Sequence, residues 1–522
     1  MIRTTRRGFL GTAGAGTAAA ALGVSMPFIG KARAAAGKTV VFATAGTVTS
    51  SWDPTSHTVA PQIELEGFYF SRLTNCPMKK DQPDQILPDL ATEWKLIDKY
   101  TLEYKLRQGV TFHDGKPFKA EDVKATYEYA CQTVHPASAW YPGLIDVEIV
   151  DDYTVRLHTE KYGYPALTFW YVVSFLPILS AKDVANPKIL QERPNGTGPF
   201  RYIATHGDTF TFQAFDHYHG GPPAIDTLVC SYVPDSNTRT LGLLNGQYQL
   251  TERLEPEQYA SLKKKSSIST SATLSSENKY LHFRCNKKPF DDVRIRRAAC
   301  HAIDRSQILK IMGAAGDNTA CYISPLKFGF MDLANYPKYD PKECQALLSA
   351  AGHPGGKGLP ELEYITSIGF YPKTREYGDL ITALLNEQGF KVKLTVYEPA
   401  SWEEHLYRGP NGQGPGHLMD CGWITGSPEP DLVLRPMWYS KEALITGNSD
   451  PKLDASLDNE RDATSISVRK KILQTETLPL IADRVPSLSL FSQVYFHAMT
   501  DKLSNVYFYP NGPVDLSKAT LA

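Results

Sequence analysis

Two pairs of polar side chains stand at spacings that chemistry uses. His217 and His219 alternate after the strand-like run 209–215, so both fall on one face, as two imidazole ligands of a metal would. Glu429 and Asp431 alternate in the same way, a spacing open to acid–base work. Neither pair is completed. No third close ligand accompanies the histidines, so they read as a solvated face. Pro430 between the carboxylates points to a loop role first. The eight cysteines, Cys76, Cys131, Cys230, Cys285, Cys300, Cys321, Cys344 and Cys421, are scattered without a C-x-x-C pair, which argues against a structural zinc site. In an exported chain they leave room for one or two disulfides, with the pairing unreadable. Cys300 and Cys344 lie on helical patterns and read as small buried hydrophobes. G-x-S-x-G, H-E-x-x-H, a helix-opening G-x-G-x-x-G and a phosphate-cradling Gly-Lys-Ser/Thr loop are all absent. The glycine-rich stretch 409–416 contains Pro410 and Pro415, which lack the backbone donors a phosphate needs. These residues therefore offer no recognisable catalytic, cofactor or metal motif.

The start of the chain sets the compartment. Arg6-Arg7 followed by Phe9-Leu10, a bland Gly/Ala run, and Lys31-Ala32-Arg33-Ala34 have the layout of a twin-arginine export signal ending in a small-residue cleavage site. The reading is a signal over 1–34, a chain that folds before crossing the membrane, and a periplasmic destination reached through the twin-arginine translocase. The formal net charge of −1 becomes more negative once Arg3, Arg6, Arg7, Lys31 and Arg33 are removed. Nothing here asks for nucleic acid or an anionic membrane, which favour basic surfaces. After the signal no apolar run approaches the ~20 residues of a spanning helix. The best candidate, 166–179, is too short and carries Trp170, Tyr171, Ser174 and Pro177.

The elements that must position a site are short and intermixed. Runs 101–107 and 391–397 alternate as half-buried strands, and 147–150 with 154–157 flank Asp151-Asp152-Tyr153 as a hairpin. Tyr377, Ile381, Leu384 and Leu385 make one face of a helix stopping near Gly389. Asp340-Pro341-Lys342-Glu343 starts another helix, with Asp340 as cap and Glu343 reaching back, and Gly352 ends it. This mixture is α/β with some α+β character. The length is far beyond one core of roughly 250–300 residues, so at least two lobes are expected.

The segments Leu87-Pro88-Asp89-Leu90-Ala91 and Gly109-Val110-Thr111-Phe112-His113-Asp114-Gly115-Lys116-Pro117-Phe118 are followed by Ala120-Glu121-Asp122-Val123. Further on stand Gly196-Thr197-Gly198-Pro199-Phe200, Pro289-Phe290-Asp291-Asp292-Val293-Arg294 and Tyr339-Asp340-Pro341, then Gly422-Trp423 with Glu429-Pro430. In this order they resemble the family 5 extracellular solute-binding proteins, the dipeptide, oligopeptide and nickel receptors of ABC importers. Each block also has a local reading. Asp114-Gly115 makes a tight turn. The helix from Ala120 exposes Glu121, Asp122 and Lys124, and Arg294, Arg296 and Arg297 form a charged helix face paired with nearby acids.

The resemblance implies a two-lobed periplasmic-binding-protein clamp of type II-like architecture. Lobe I would span 35–280 plus 492–522, with a small subdomain inserted at about 77–190, and lobe II 281–491. The hinge crossings would lie near 280–286 and 487–494. It implies a likeness to receptors that hold a small molecule and hand it to an ABC permease and its ATPase, acting as a monomer. The wall of the cleft would be Trp423, Ile424, Thr425, Gly426 and Ser427, with Trp402 and Arg408 preceding it. Trp52 would come from the loop after the first strand, and Trp140 and Tyr141 from a loop near the mouth. Peptide-binding relatives carry an Asp at the position of Gly426. Without that carboxylate a buried ammonium is costly, so ordinary peptides are not expected to be the best ligand. A modified peptide, an opine-like derivative, a sugar conjugate or a chelate stays open. Rival readings are an exported cofactor-dependent enzyme and a ligand sensor for chemotaxis.

Overall fold

The computed structural model describes residues 37–45, 51–57, 60–132, 146–160, 165–368, 371–406, 415–443 and 445–522. Lys38–Ala522 forms one compact unit. Its backbone is an eleven-stranded sheet. In chain order the strands are β1 (Thr39–Thr44), β2 (Phe200–His206), β3 (Thr209–Ala214), β4 (Thr227–Tyr232), β5 (Leu250–Thr251), β6 (Ile268–Phe283), β7 (Gly316–Asp317), β8 (Glu361–Ser367), β9 (Lys391–Tyr397), β10 (Leu418–Trp423) and β11 (Ser487–Thr500). Their spatial order is β9-β8-β10-β6-β11-β5-β1-β4-β3-β2, with β7 on β11.

The long antiparallel pair β6–β11 joins two halves of this sheet. Residues 268–274 pair with 494–500, beside β5 and β1, whereas 278–282 pair with 487–492 and 278–283, on the other side, with β10. Between the two stretches the register shifts, and 275–277 bulge out of the ladder. A bulge re-aims side chains and bends its strand. On one side β1 runs parallel to β4 and β5; on the other β8 runs parallel to β9 and β10. The carboxyl ends of β5 and β10 both point at the bulge, because each pairs antiparallel with the crossing strands.

A separate four-stranded antiparallel sheet, Ala91–Asp98, Thr101–Leu106, Thr154–His158 and Asp146–Asp151, has its own apolar core around Tyr104, Phe112, Val123 and Tyr127. The hairpin at 151–154 forms as the sequence predicts. The motif blocks prove to be packing devices. The Phe112–Gly115 turn sets His113 against the Gly198 carbonyl (3.0 Å), and a Cβ on Gly196 would lie 1.9 Å from the Tyr69 carbonyl oxygen. Asp122 departs from expectation: it is fully buried, because it closes the start of its helix by accepting from Lys119 N (2.9 Å) and also takes Ala181 N (2.8 Å). Arg296 likewise is buried and donates to the carbonyls of Phe290 and Arg484 instead of pairing with acids. His219 is no solvated residue, since its Nε2 meets Asp89 Oδ1 at 2.7 Å. All eight cysteines are free thiols, seven of them buried.

Candidate functional site

In open α/β sheets, ligands sit outside the carboxyl ends of the parallel strands. Here two such sets of ends face the bulge, and ionisable side chains run between them in a row. At the end of β1, Ala45 N donates to Glu252 Oε1 (2.8 Å), just past β5. Next, Arg253 has a left-handed backbone (φ 50°), pairs with Glu64, and lies 4.9 Å over the Tyr495 ring. The Tyr495 hydroxyl donates to Glu277 Oε2 (3.0 Å) on the bulge. The other Glu277 oxygen occupies the space beside Gly422, where a Cβ would come within 1.9 Å of it. Gly422 N donates to the Tyr371 hydroxyl (3.1 Å), and the Tyr371 ring lies 2.7 Å from Lys279 Nζ. Among the described residues Lys279 Nζ finds no hydrogen-bond partner; it sits 3.7 Å from Asp420 Oδ2, which takes the Tyr377 hydroxyl at 2.6 Å.

Burial dominates the electrostatics. It raises the Glu277 carboxyl, with Lys279 opposing, and lowers the Lys279 ammonium against the pull of Asp420. It pushes Glu252 up to about 7, helped by the charge on Glu64.

The segment after β10 is held from several sides. Thr425 O accepts from Ser276 Oγ on the bulge (3.0 Å), and the buried Lys327 ammonium donates to Thr425 Oγ1 and the Ser427 carbonyl. Burial lowers Lys327 to about 7. Trp423 is half-buried, its indole N–H donating to Leu432 O (2.8 Å). Gly426 lies against Phe175: a Cβ there would be 1.8 Å from Cδ2 of that ring. Beyond it is a polar recess of about 70 Å³, lined among others by Arg72, Asp89, Ser174 and Asn511. Glu429 and Asp431 are not available for acid–base work. Arg469 takes both Glu429 oxygens (2.6 and 2.7 Å), and Arg435 and Arg461 take Asp431.

The structure therefore brings Trp423, Ile424, Thr425, Gly426 and Ser427 together beside the bulge. Trp402 is buried in the core behind Tyr371, ring centres 6.1 Å apart. Trp52 is enclosed by Tyr69, Tyr202, Phe210 and Phe212. Arg408, Trp140 and Tyr141 lie outside the described residues. Sequence reasoning missed Glu277, Lys279, Arg253, Tyr371 and Tyr495. The available signal was two charges, Glu277 and Lys279, within an otherwise uncharged strand. Among the described residues no group of three His, Cys, Asp or Glu could hold a metal ion.

Residues 85–444 match the family model for bacterial extracellular solute-binding proteins, family 5. The chain belongs to this family. It is 29% identical over 460 residues to a dipeptide-binding protein of Escherichia coli, covering 82% of this chain and 85% of the relative. It is 26% identical to heme-binding protein A of Haemophilus influenzae, covering 87% and 88%. Among solved structures, an ABC transporter substrate-binding protein of Listeria monocytogenes superposes with a TM-score of 0.82 at 19% identity, over 93% of this chain and 99% of that one. The family 5 receptor has the mixed α/β fold of the periplasmic binding proteins.

Proposed function

We propose that this receptor captures a small organic solute between two lobes and delivers it unaltered to an ABC permease, whose ATPase supplies the energy. The carrying observation is the convergence of two sets of strand ends on the bulge of the long strand pair that joins the sheet halves. Lobe I is 35–280 plus 492–522, with the subdomain near 77–190, and lobe II is 281–491. The register shift at 275–277, opposite 492–494, is a natural hinge, since bending there breaks few ladder bonds. Contacts between the proposed lobes support a closed arrangement. Phe175 meets Gly426, Tyr171 meets Phe328 (ring centres 5.6 Å), and Lys99 pairs with Asp462 (2.8 Å). The wall residues 423–427 are the ligand's lobe II surface. A peptide ammonium placed at Gly426 meets Phe175 instead of a carboxylate. That supports a peptide-like derivative, an opine-like compound, a sugar conjugate or a chelate over an ordinary peptide.

Export in the folded state, as a monomer, through the twin-arginine translocase is part of the proposal. Arg6-Arg7 supports it, and so do the thiols. Burial pushes Cys76, Cys300, Cys344 and Cys421 up to about 12, which suppresses thiolate and so oxidation. A chain that folds in a reducing compartment first reaches an oxidising one with these groups already shielded. The test of function is mass spectrometry of small molecules released on denaturing protein from its native host, followed by incubation of the molecule with refolded protein. Recovery of the same mass is expected. Conversion to a product would refute a pure receptor.

A further inference from the structure

We infer that the captured solute carries a cationic nitrogen, a protonated amine or guanidine, and that Glu277 receives it. The inference rests on the cleft being the solute site. Glu277 is 7% exposed, yet its carboxylate forms no ion pair among the described residues. Among the described residues its Oε2 has one hydrogen bond, from the neutral Tyr495 hydroxyl, and its Oε1 has none. A buried carboxylate left in this state is costly, and the cost is removed by a cation that also donates hydrogen bonds.

The surroundings make room for such a partner. Gly422 has no side chain where Oε1 stands. Lys279 and Gly422 are directly paired across β6 and β10, so the lysine stem and the glutamate oxygen share one face of the sheet. The cations already present are engaged elsewhere. Arg253 is paired with Glu64 and stacked on Tyr495, and Lys279 faces Asp420 and the Tyr371 ring. Among the described residues, the carboxylates of the row, Glu64, Glu252, Glu277 and Asp420, thus face three cations, Arg239 behind Glu252, Arg253 and Lys279. An anionic solute would add like charge to it. A neutral solute would leave Oε1 unpaired when the lobes close. Glu429 and Asp431 cannot take the cation, because arginines saturate both. The position on the bulge gives the contact a second consequence: the solute's charge bridges the strand that bends and the wall that closes.

The experiment is calorimetric titration of refolded, solute-free protein and of Glu277→Gln with matched probes. These are L-arginine against L-citrulline, and Ala-Phe against N-acetyl-Ala-Phe, with spermidine, succinate and glucose as charge and neutral references. At least one cationic probe should bind, and its uncharged counterpart at least about 30-fold more weakly. Glu277→Gln should weaken the cationic probe by a similar factor while its Tm stays equal or rises, since an unpaired buried charge has gone. A purely structural glutamate would lower Tm instead. Binding of succinate, glucose or an uncharged member in preference, or an unchanged cation affinity in Glu277→Gln, would overturn the inference and leave solute capture standing. If no probe binds, the molecule released from native-host protein decides. One with a basic nitrogen supports the inference, and one without overturns it. Release of nothing at all would remove both the inference and the capture reading.

Discussion

Replacing Glu460 with Gln should change how stability depends on pH, by an amount the structure sets. Glu460 and Glu429 share one guanidinium, that of Arg469, and all three side chains are fully buried. Arg469 gives two hydrogen bonds to Glu429 and one, Nε to Oε2 at 2.8 Å, to Glu460; among the described residues Glu460 Oε1 has no partner. Burial therefore outweighs the pull of Arg469, and with Asp431 and Glu429 adding repulsion the Glu460 carboxyl rises from 4.5 to about 7. A carboxyl raised in the fold contributes stability that is complete below its unfolded value and is lost as pH climbs through the folded value. For a rise of this size the loss between about pH 4.5 and pH 8 is about 3 kcal/mol. Glu460→Gln cannot ionise and lacks this loss. Urea unfolding, followed by tryptophan fluorescence at a series of pH values, should give curves for the two proteins that diverge by about this amount as pH rises, the variant being the more stable above neutrality. Parallel pH profiles would refute the argument that the triad holds one carboxylate more than it can pair.

Arg469→Met leaves two carboxylates buried without a cation and should cost about 3–5 kcal/mol, read as a fall in the urea midpoint; a midpoint like the parent's contradicts the pairing. Gly426→Val places its Cβ inside the Phe175 ring and should weaken solute binding at least about tenfold with folding intact, while Gly426→Val with Phe175→Ala recovers it. Calorimetry with the copurified solute reads both. Arg6→Lys with Arg7→Lys should retain the protein in the cytoplasm by fractionation. Exchange of 1–34 for a signal that exports unfolded chains should yield disulfide-linked species on non-reducing gels; uniformly free thiols would contradict the role given to early burial.

Local features were legible in the sequence because neighbours decide them. Asp340 does cap Lys342 N and Glu343 N, though Glu343 closes no capping box, and Tyr377, Ile381, Leu384 and Leu385 do form the buried face of Thr374–Glu387. The resemblance carried the architecture, since packed blocks such as His113 against Gly198 tolerate few alternatives. The row at the bulge was not legible. Glu277 meets Tyr495 and Gly422 through strand pairing that spans more than two hundred residues in one case, and the bulge itself appears only once a register exists. The carboxylates at 429 and 431 looked available for the same reason: Arg469 and Arg461, which occupy them, stand far along the chain on other helices. Trp52 was expected in the cleft because of its place after β1, and the aromatic side chains that enclose it come from 69, 202, 210 and 212.

Solution scattering tests the central claim most directly. Protein as purified from its native host should give a smaller radius of gyration than the same protein stripped of solute and refolded, and returning the released solute should restore the smaller value. Superimposable curves for loaded and stripped protein would contradict closure of two lobes about the bulge.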